Sequence, residues 1–209
     1  MLISKVMSIA HPDAISTAVA IIQENGTIVF PTDTIYGVAA DAFSPEGIQK
    51  LYRVKERSPD KALPVLIGEL CQLDRLLLHV NNRLQLIAKA FWPGPLTVIA
   101  PKGPEVPPDL SPYSTIGVRM PDLAFTLSLL QKTGPLATTS ANLSDGPNPT
   151  NVQDVLDQLD GRVDLILDGG ATPGQVASTV IDVSGPEIKV LREGPISLDQ
   201  IIICLNKSA

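Results

Sequence analysis

Residues 26–68 have the sequence GTIVFPTDTIYGVAADAFSPEGIQKLYRVKERSPDKALPVLIG. A short apolar run at its start stops at Pro31, and a loop rich in hydroxyl groups follows. Five cations then lie between Lys50 and Lys61. Because ligands of open α/β sheets collect where strands end, this combination indicates an anion site built on the end of a strand.

The elements of this stretch follow from its apolar runs and prolines. Residues 27–30 form a continuous apolar segment and predict a strand buried on both faces. Ser44-Pro45 predicts the start of a helix, which must end before Pro59 because a residue that precedes proline disfavours the α region. Lys55 and Arg57 therefore lie at or beyond the end of this helix, and an extended tail would point both side chains the same way.

The rest of the chain alternates between helical and strand patterns. Further helices are predicted at 11–25, 81–91, 122–132, 152–159 and 197–205. Further strands are predicted at 63–67, 96–100, 115–120, 136–140, 163–167, 178–183 and 188–192. We therefore expect one α/β domain over residues 1–209, with a twisted mixed β-sheet of about seven strands flanked by helices. The proline-rich loop 104–112 is either a surface crossover or a wall of the site.

Composition limits the function classes. The 209 residues carry a net charge of −6, which argues against a nucleic-acid clamp spread over the whole surface, although a local basic pocket remains compatible with it. Cys71 and Cys204 lack the neighbouring ligands of a zinc site. The sequence has no signal peptide and no apolar run of the roughly 18 residues that cross a bilayer, so we expect a cytoplasmic protein without a membrane partner.

Motifs of nucleophilic and phosphate-loop enzymes are missing from the sequence. It contains no GxxxxGK[ST], GxGxxG, GxSxG, HExxH or CxxC pattern, and His11 and His79 are its two histidines. Polar residues instead follow or interrupt apolar strands. Phosphoryl and nucleotidyl transfer asks a protein mainly for cations and hydrogen-bond donors around phosphorus, so this inventory suits such chemistry.

Each feature also has a structural interpretation. PTDT at 31–34 could be a turn that caps local backbone groups, and the cations at 50–61 could be a solvated helix face. Arg119 lies in an apolar strand, where a guanidinium needs a carboxylate or phosphate partner, and a structural Asp or Glu would satisfy it. Ser140 and Asn142 alternate across Ala141 and would share one face of an extended segment.

Seven segments together resemble the YrdC/Sua family, whose members make threonylcarbamoyl-adenylate. They are PTDTIYG at 31–37, KxR at 55–57, WPGPLT at 92–97, TIGVRMP at 115–121, SAN at 140–142, STVID at 178–182 and LREG at 191–194. They occur in the family's order and span nearly the whole chain, which therefore resembles a short-form member with a single YrdC-like domain.

The resemblance implies a nucleotidyltransferase that serves threonylcarbamoyladenosine synthesis in tRNA. L-threonine and bicarbonate would form N-carboxythreonine, whose carboxylate attacks the α-phosphate of ATP and releases pyrophosphate. By the same resemblance, the catalytic residues would be Lys55, Arg57, Ser140 and Asn142. Threonine would be held by Thr34, Arg119, Thr138 and Ser178. The nucleotide would be held by Arg57, Lys61, Thr115, Ser140, Asn148 and Arg192.

The resemblance also implies cofactors and partners. Mg²⁺ would bind mainly through the ATP phosphates, without a dedicated protein metal site. The product would pass to tRNA threonylcarbamoyltransferase proteins, with weak tRNA contact possible. The sequence departs from the family pattern at Lys61, where Asn is usual, and at Leu66, where His is usual. Alternative hypotheses are a non-catalytic RNA-binding or ribosome-maturation module of the same fold and a carbamoyl-transferring domain of hydrogenase maturation.

Overall fold

The computed structural model describes residues 3–174 and 176–207. Within them ten strands form one sheet, with the order β1-β8-β2-β3-β7-β4-β6-β5-β9-β10. The strands are β1 (Lys5–Ser8), β2 (Ile28–Phe30), β3 (Gly37–Asp41), β4 (Val65–Leu66), β5 (Leu96–Pro101), β6 (Thr115–Arg119), β7 (Leu136–Ser140), β8 (Leu165–Asp168), β9 (Thr179–Asp182) and β10 (Lys189–Arg192). The sheet contains both parallel pairs, such as β4 with β6, and antiparallel pairs, such as β3 with β7, so the predicted mixed sheet is confirmed.

The predicted count of about seven strands is wrong, because β1 and β3 were not predicted. β1 is an edge strand with mostly exposed side chains, so it lacks an apolar pattern. β3 has the sequence GVAAD, in which glycine and alanine have low strand propensity. Its four buried residues pair with β2 and β7, and this tertiary burial overrides the weak local preference.

Seven α-helices cover the sheet within the described residues. They are α1 (Ala14–Gln23), α2 (Pro45–Lys55), α3 (Leu73–Leu76), α4 (Asn82–Phe91), α5 (Ala124–Thr133), α6 (Val152–Leu159) and α7 (Leu198–Asn206). Single 3₁₀ turns occupy Leu70–Gln72 and Pro108–Leu110. The five long helices predicted outside the opening stretch are all present, and so is the helix at Ser44-Pro45, where the Ser44 hydroxyl accepts from the Gly47 amide at 3.0 Å.

The helices leave part of one sheet face uncovered. On that face α1 and α5 pack against apolar side chains of β8, β2 and β3, including Phe30 and Ala39. On the opposite face a larger apolar cluster joins the sheet to α2, α4, α6 and α7. Successive residues of a strand point to opposite faces, so Ile116 and Val118 of β6 enter this cluster while Gly117 between them does not. The face that Gly117 occupies is where the pocket lies.

The end of α2 differs from the extended tail expected there. The helix ends at Lys55, and Glu56 adopts a left-handed conformation with φ 52° and ψ 39°. The Arg57 amide then donates to the Tyr52 carbonyl at 3.1 Å. This C-terminal turn satisfies a helix carbonyl that an extended tail would leave without a donor. The proline-rich loop 104–112 packs on the core through Leu110 and does not line the pocket.

Candidate active site

A pocket of about 330 Å³ lies over the uncovered sheet face. Paired residues of neighbouring strands form its floor. Leu66 is in register with Arg119, which lies 53 residues later in the chain, and Val180 is in register with Arg192. All four of these residues line the pocket. The sequence predicts a site at the ends of strands. The pocket includes such positions and also extends across the face of the sheet.

Two glycines, Gly37 and Gly117, have no side chain that would project from the sheet into the pocket. A Cβ on Gly37 would lie 2.9 Å from Thr138 Cγ2, and one on Gly117 would lie 3.2 Å from Thr97 Cγ2. Real Cβ atoms rarely come so close, and any larger side chain would fill the pocket from below. These two glycines therefore allow a ligand to lie directly on the sheet.

Lys55 joins the end of α2 to the end of β7. Its ammonium donates to the Ser140 carbonyl, and its Nζ lies 3.4 Å from Ser140 Oγ and 3.2 Å from Asn142 Oδ1. Burial, followed by the nearby Arg57 charge, lowers the pKa of Lys55 to about 7. In the described residues no carboxylate forms an ion pair with Lys55, so its positive charge is available to an anion in the pocket.

The loop after β7 holds this group in place. The Ser144 amide and hydroxyl donate to the Lys55 carbonyl at 3.1 and 3.0 Å, and Asn142 Nδ2 donates to the Gly146 carbonyl at 2.6 Å. The loop thus caps α2 while it orients Asn142 toward Lys55. Ser140 lines the pocket, whereas Lys55 and Asn142 lie immediately behind it.

Arg57 reaches the pocket from the turn that follows α2. Its Nε donates to the Lys61 carbonyl at 3.2 Å and its Nη2 to the Ala62 carbonyl at 3.1 Å. Carbonyl partners fix the guanidinium without neutralising it. Burial lowers the pKa of Arg57 from its ordinary value, and the group still carries its charge at neutral pH.

Arg119 occupies the other side of the pocket and has three partners. Its Nη2 forms an ion pair with Asp33, its Nη1 donates to Thr34 Oγ1 at 3.0 Å, and its Nε donates to the Gly94 carbonyl at 3.0 Å. The structural carboxylate considered from sequence is therefore present. Thr34 and Arg119 nevertheless both line the pocket, and a guanidinium has five N–H groups, so N–H groups remain for a ligand carboxylate.

Arg192 and Ser178 form a further polar group on the β9 and β10 side. Arg192 Nε donates to the Ser178 carbonyl at 2.9 Å, and its Nη2 donates to Ser178 Oγ at 3.1 Å. The Ser178 hydroxyl also lies 2.8 Å from Thr97 Oγ1. Arg192 has no carboxylate partner within the described residues, so this side of the pocket also has positive charge to offset.

The remaining predicted residues divide into two groups. Thr138 and Asn148 line the pocket. Lys61 does not, since its side chain is 55% exposed and lies 3.9 Å from Asp145. Thr115 does not line it either, but it shares a face of β6 with Gly117 and Arg119, which do. The functional roles of all these residues remain predictions from the resemblance.

Some pocket residues had no role in the sequence analysis. Thr32, Tyr36 and Thr97 lie in the quoted PTDTIYG and WPGPLT segments and line the pocket. The Tyr36 hydroxyl donates to the Gly170 carbonyl at 2.7 Å and so ties this segment to the end of β8. The motifs that contain these residues were the signal that could have identified them. The hydrogen bonds of Tyr36 and Thr97 join segments more than 80 residues apart, and no local sequence pattern indicates such contacts.

Metal-binding clusters and membrane-spanning helices are absent from the described residues. Within 3–174 and 176–207, no three His, Cys, Asp or Glu side chains come together as a metal-binding group. Over the same residues, no helix has the length and apolar character needed to traverse a bilayer.

Comparison with known proteins shows clear relatives. The chain is 39% identical over 193 residues to threonylcarbamoyl-AMP synthase of Bacillus subtilis, covering 90% of this chain and 55% of the relative. It is 38% identical over 191 residues to the Bos taurus protein of the same name, covering 87% of this chain and 68% of that one. It thus spans about half the length of the Bacillus relative and two thirds of the bovine one.

A solved structure and a family model agree with these relatives. The crystal structure of Pyrococcus abyssi Sua5 complexed with L-threonine superposes with a TM-score of 0.91 at 33% identity, covering 98% of this chain and 61% of that chain. The Sua5/YciO/YrdC family model, described as "Telomere recombination", matches residues 20–194. A match over most of the chain, together with the shared pocket-bearing fold, shows that this chain belongs to the Sua5/YciO/YrdC family.

Proposed function

We propose that this protein is an L-threonylcarbamoyladenylate synthase, which condenses L-threonine, bicarbonate and ATP into threonylcarbamoyl-AMP and pyrophosphate. The observation that carries the proposal is that one pocket combines a group suited to a carboxylate with cations suited to phosphates. Arg119 with Thr34 suits an amino-acid carboxylate, and Lys55, Arg57 and Arg192 suit phosphates. The names of the relatives and the threonine in the Pyrococcus abyssi complex support the same assignment.

Binding of both reactants in this pocket would place their reacting groups next to each other. Arg119 holds the threonine carboxylate. The threonine nitrogen forms a bond to the carbon of bicarbonate, a C–O bond of bicarbonate breaks and water leaves, so the nitrogen then carries a new carboxylate. That carboxylate attacks the α-phosphorus, the bond to the β-phosphate oxygen breaks, and pyrophosphate leaves with the electron pair. Holding both reactants in one pocket makes this step effectively intramolecular, and such positioning is a large part of catalysis by this kind of site.

Lys55, Arg57 and Arg192 would stabilise the charge that develops on the phosphates. Arg57 and Arg192 line the pocket and Lys55 lies immediately behind it. None of them forms an ion pair with a carboxylate in the described part of the chain, so their charge acts on the phosphates. Mg²⁺, carried by the triphosphate, would add its charge to the leaving pyrophosphate.

The product would serve tRNA modification in the cytoplasm, where tRNA threonylcarbamoyltransferase proteins consume it. A non-catalytic RNA-binding module is less well supported, because a net charge of −6 opposes autonomous RNA binding and the relatives bear the name of a synthase. Arg57 and Arg192 of the pocket bond neutral carbonyl and hydroxyl groups, which leaves their charge for a small anionic ligand.

Pyrophosphate release from ATP, Mg²⁺ and bicarbonate tests the proposal, measured with L-threonine, with serine or valine, and with no amino acid. We expect release that requires both bicarbonate and threonine. Arg57→Ala should lower the rate by ~10²–10³ without unfolding the chain. Arg53→Ala, which removes an exposed arginine of α2, is the matched control and should keep the wild-type rate. Release that is independent of threonine, or equal in both variants, would contradict the proposal.

A further inference from the structure

The loop after β7 carries an exposed carboxylate beside the cations of the pocket. Asp145 Oδ1 lies 3.9 Å from Lys61 Nζ, and the Asp145 side chain is 88% exposed. Burial lowers the pKa of both Lys55 and Arg57, and the negative charge of Asp145 opposes this shift in each case. The carboxylate therefore acts on three cations that the resemblance assigns to catalysis or to the nucleotide.

The backbone on both sides of Asp145 is fixed. Asp145 itself has φ 66°, a left-handed conformation in which glycine, asparagine and aspartate are the common residues. The preceding Ser144 amide donates to the Lys55 carbonyl at 3.1 Å, and the following Gly146 carbonyl accepts from Asn142 Nδ2 at 2.6 Å. The loop cannot carry Asp145 away from the cations without breaking the hydrogen bonds that position Lys55 and Asn142.

An anion at this place has opposite effects on two forms of a nucleotide. Phosphates bound by Arg57 and Lys61 would lie close to Asp145, whose carboxylate repels a metal-free triphosphate. Mg²⁺ offsets part of the phosphate charge, and in proteins it is usually bound by substrate phosphates together with one or two carboxylates. Toward a magnesium-bound triphosphate, the Asp145 carboxylate is therefore attractive, either directly or through a water molecule on the metal.

We propose that Asp145 is a specificity-determining residue, which makes the pocket select the magnesium-bound nucleotide over the metal-free one. The inference rests on the proposed function, because it concerns the nucleotide that Lys55, Arg57 and Lys61 would hold. Lys61 does not cancel the carboxylate, since both side chains are more than half exposed and an ion pair between such groups is weak. Lys61 can turn toward a phosphate while Asp145 faces the metal.

Two neutral variants at position 145 test this selectivity. Asparagine and glycine both adopt a positive φ, so Asp145→Asn and Asp145→Gly remove the charge and keep the loop. Calorimetry, without threonine or bicarbonate, measures the affinity for ATP with Mg²⁺ and for ATP with EDTA. In both variants we expect the preference for the magnesium-bound form to fall by roughly three- to tenfold, mainly because metal-free ATP binds more tightly.

Asp60→Asn is the matched control and should keep the wild-type preference. Asp60 is an exposed carboxylate next to Lys61 in the chain, and it bonds the Ser58 hydroxyl at 3.2 Å. A second readout is the ionic strength, because salt screens exposed charges. The difference in preference between wild type and Asp145→Asn should shrink from ~0.05 M to ~0.5 M salt.

The outcomes separate this inference from the proposed function. Equal preference in wild type and both Asp145 variants would overturn the inference alone. The same is true if the variants change both affinities by one common factor, because that result indicates a structural role. A wild-type chain that binds ATP in neither form would overturn the proposed function with it.

Discussion

At the scale of single residues, the site depends on three cations that are held by neutral partners, Lys55, Arg57 and Arg192, whereas Arg119 pairs with Asp33. Lys55 is the clearest case, because three oxygen atoms of Ser140 and Asn142 surround its ammonium group and none belongs to a carboxylate. Burial lowers its pKa to about 7, so the free protein loses part of this charge just above neutral pH. A bound polyanion favours the charged form and draws the proton back.

ATP binding should therefore take up a proton at alkaline pH. The affinity for ATP should fall roughly five- to tenfold between pH 7.5 and 8.5, because one proton must then accompany the ligand. Lys55→Met should bind ATP more weakly and lose most of this pH dependence. Calorimetry in buffers of different ionisation enthalpy measures the proton uptake. Lys50→Met, which removes a lysine of the same helix outside the pocket, should keep the wild-type dependence, and equal slopes in the two variants would contradict the role of Lys55.

Sequence predicted these cations better than their partners. Arg119 was conspicuous because a guanidinium in an apolar strand requires an anionic or polar partner. Its pairing with Asp33 joins residues 86 apart, and only the sheet topology brings them together.

At the scale of elements, α2 has a stabilising cap at one end and a lysine of the site at the other. Ser44 caps one end and Lys55 lies at the other, 11 helical residues away, which corresponds to about 16 Å. The Ser44 hydroxyl also donates to Asn25 Oδ1 at 2.6 Å and thereby joins α2 to the end of α1. The two ends of the helix should therefore respond differently to substitution.

Ser44→Ala should lower the free energy of unfolding by about 1–2 kcal/mol, because the Gly47 amide loses its acceptor. Affinities for ATP and threonine should not change, since the pocket end of the helix is capped separately by Ser144. Urea unfolding and calorimetry measure the two effects. Ser16→Ala, on the exposed face of α1, should change stability by less than about 0.5 kcal/mol. A weakened pocket in the folded Ser44→Ala chain would show that the two ends are coupled.

Helices were predicted more completely than strands. Caps and 3.6-residue periodicity are local signals, and Asn81 and Asn151 cap the helices that their neighbours predict. β3 has no comparable signal. Its pairing with β2 and β7, and the apolar clusters that bury its two faces, come from other segments of the chain and not from its own residues. The same is true of the pocket face, which needs the register of several strands.

At the scale of the whole molecule, segments from most of the chain line one pocket. Pocket residues run from Thr32 in the first quarter to Arg192 on the last strand. The mixed fold class was predictable from alternating patterns, but the order of the strands was not, because neighbours such as β5 and β9 are far apart in sequence. A bound ligand therefore links parts of the chain that local interactions do not.

Saturating ATP should raise the unfolding temperature substantially. At a hundred times its Kd a ligand adds about 2.7 kcal/mol to stability. For a chain of this size that corresponds to roughly 5–10 °C. Differential scanning calorimetry with ATP and Mg²⁺, compared with sulfate at equal ionic strength, measures the shift. An equal shift with sulfate would indicate a general salt effect instead of pocket binding.

The position of Arg192 on β10 has a consequence for biosynthesis. β10 is the last strand of the sheet in chain order, and its Arg192 bonds Ser178 at the pocket. A ribosome makes the chain from its N-terminus, so the pocket stays incomplete until residue 192 has left the exit tunnel. A nascent or truncated chain that contains Lys55, Arg57 and Arg119 but stops before residue 192 thus lacks one of the cations that line the pocket.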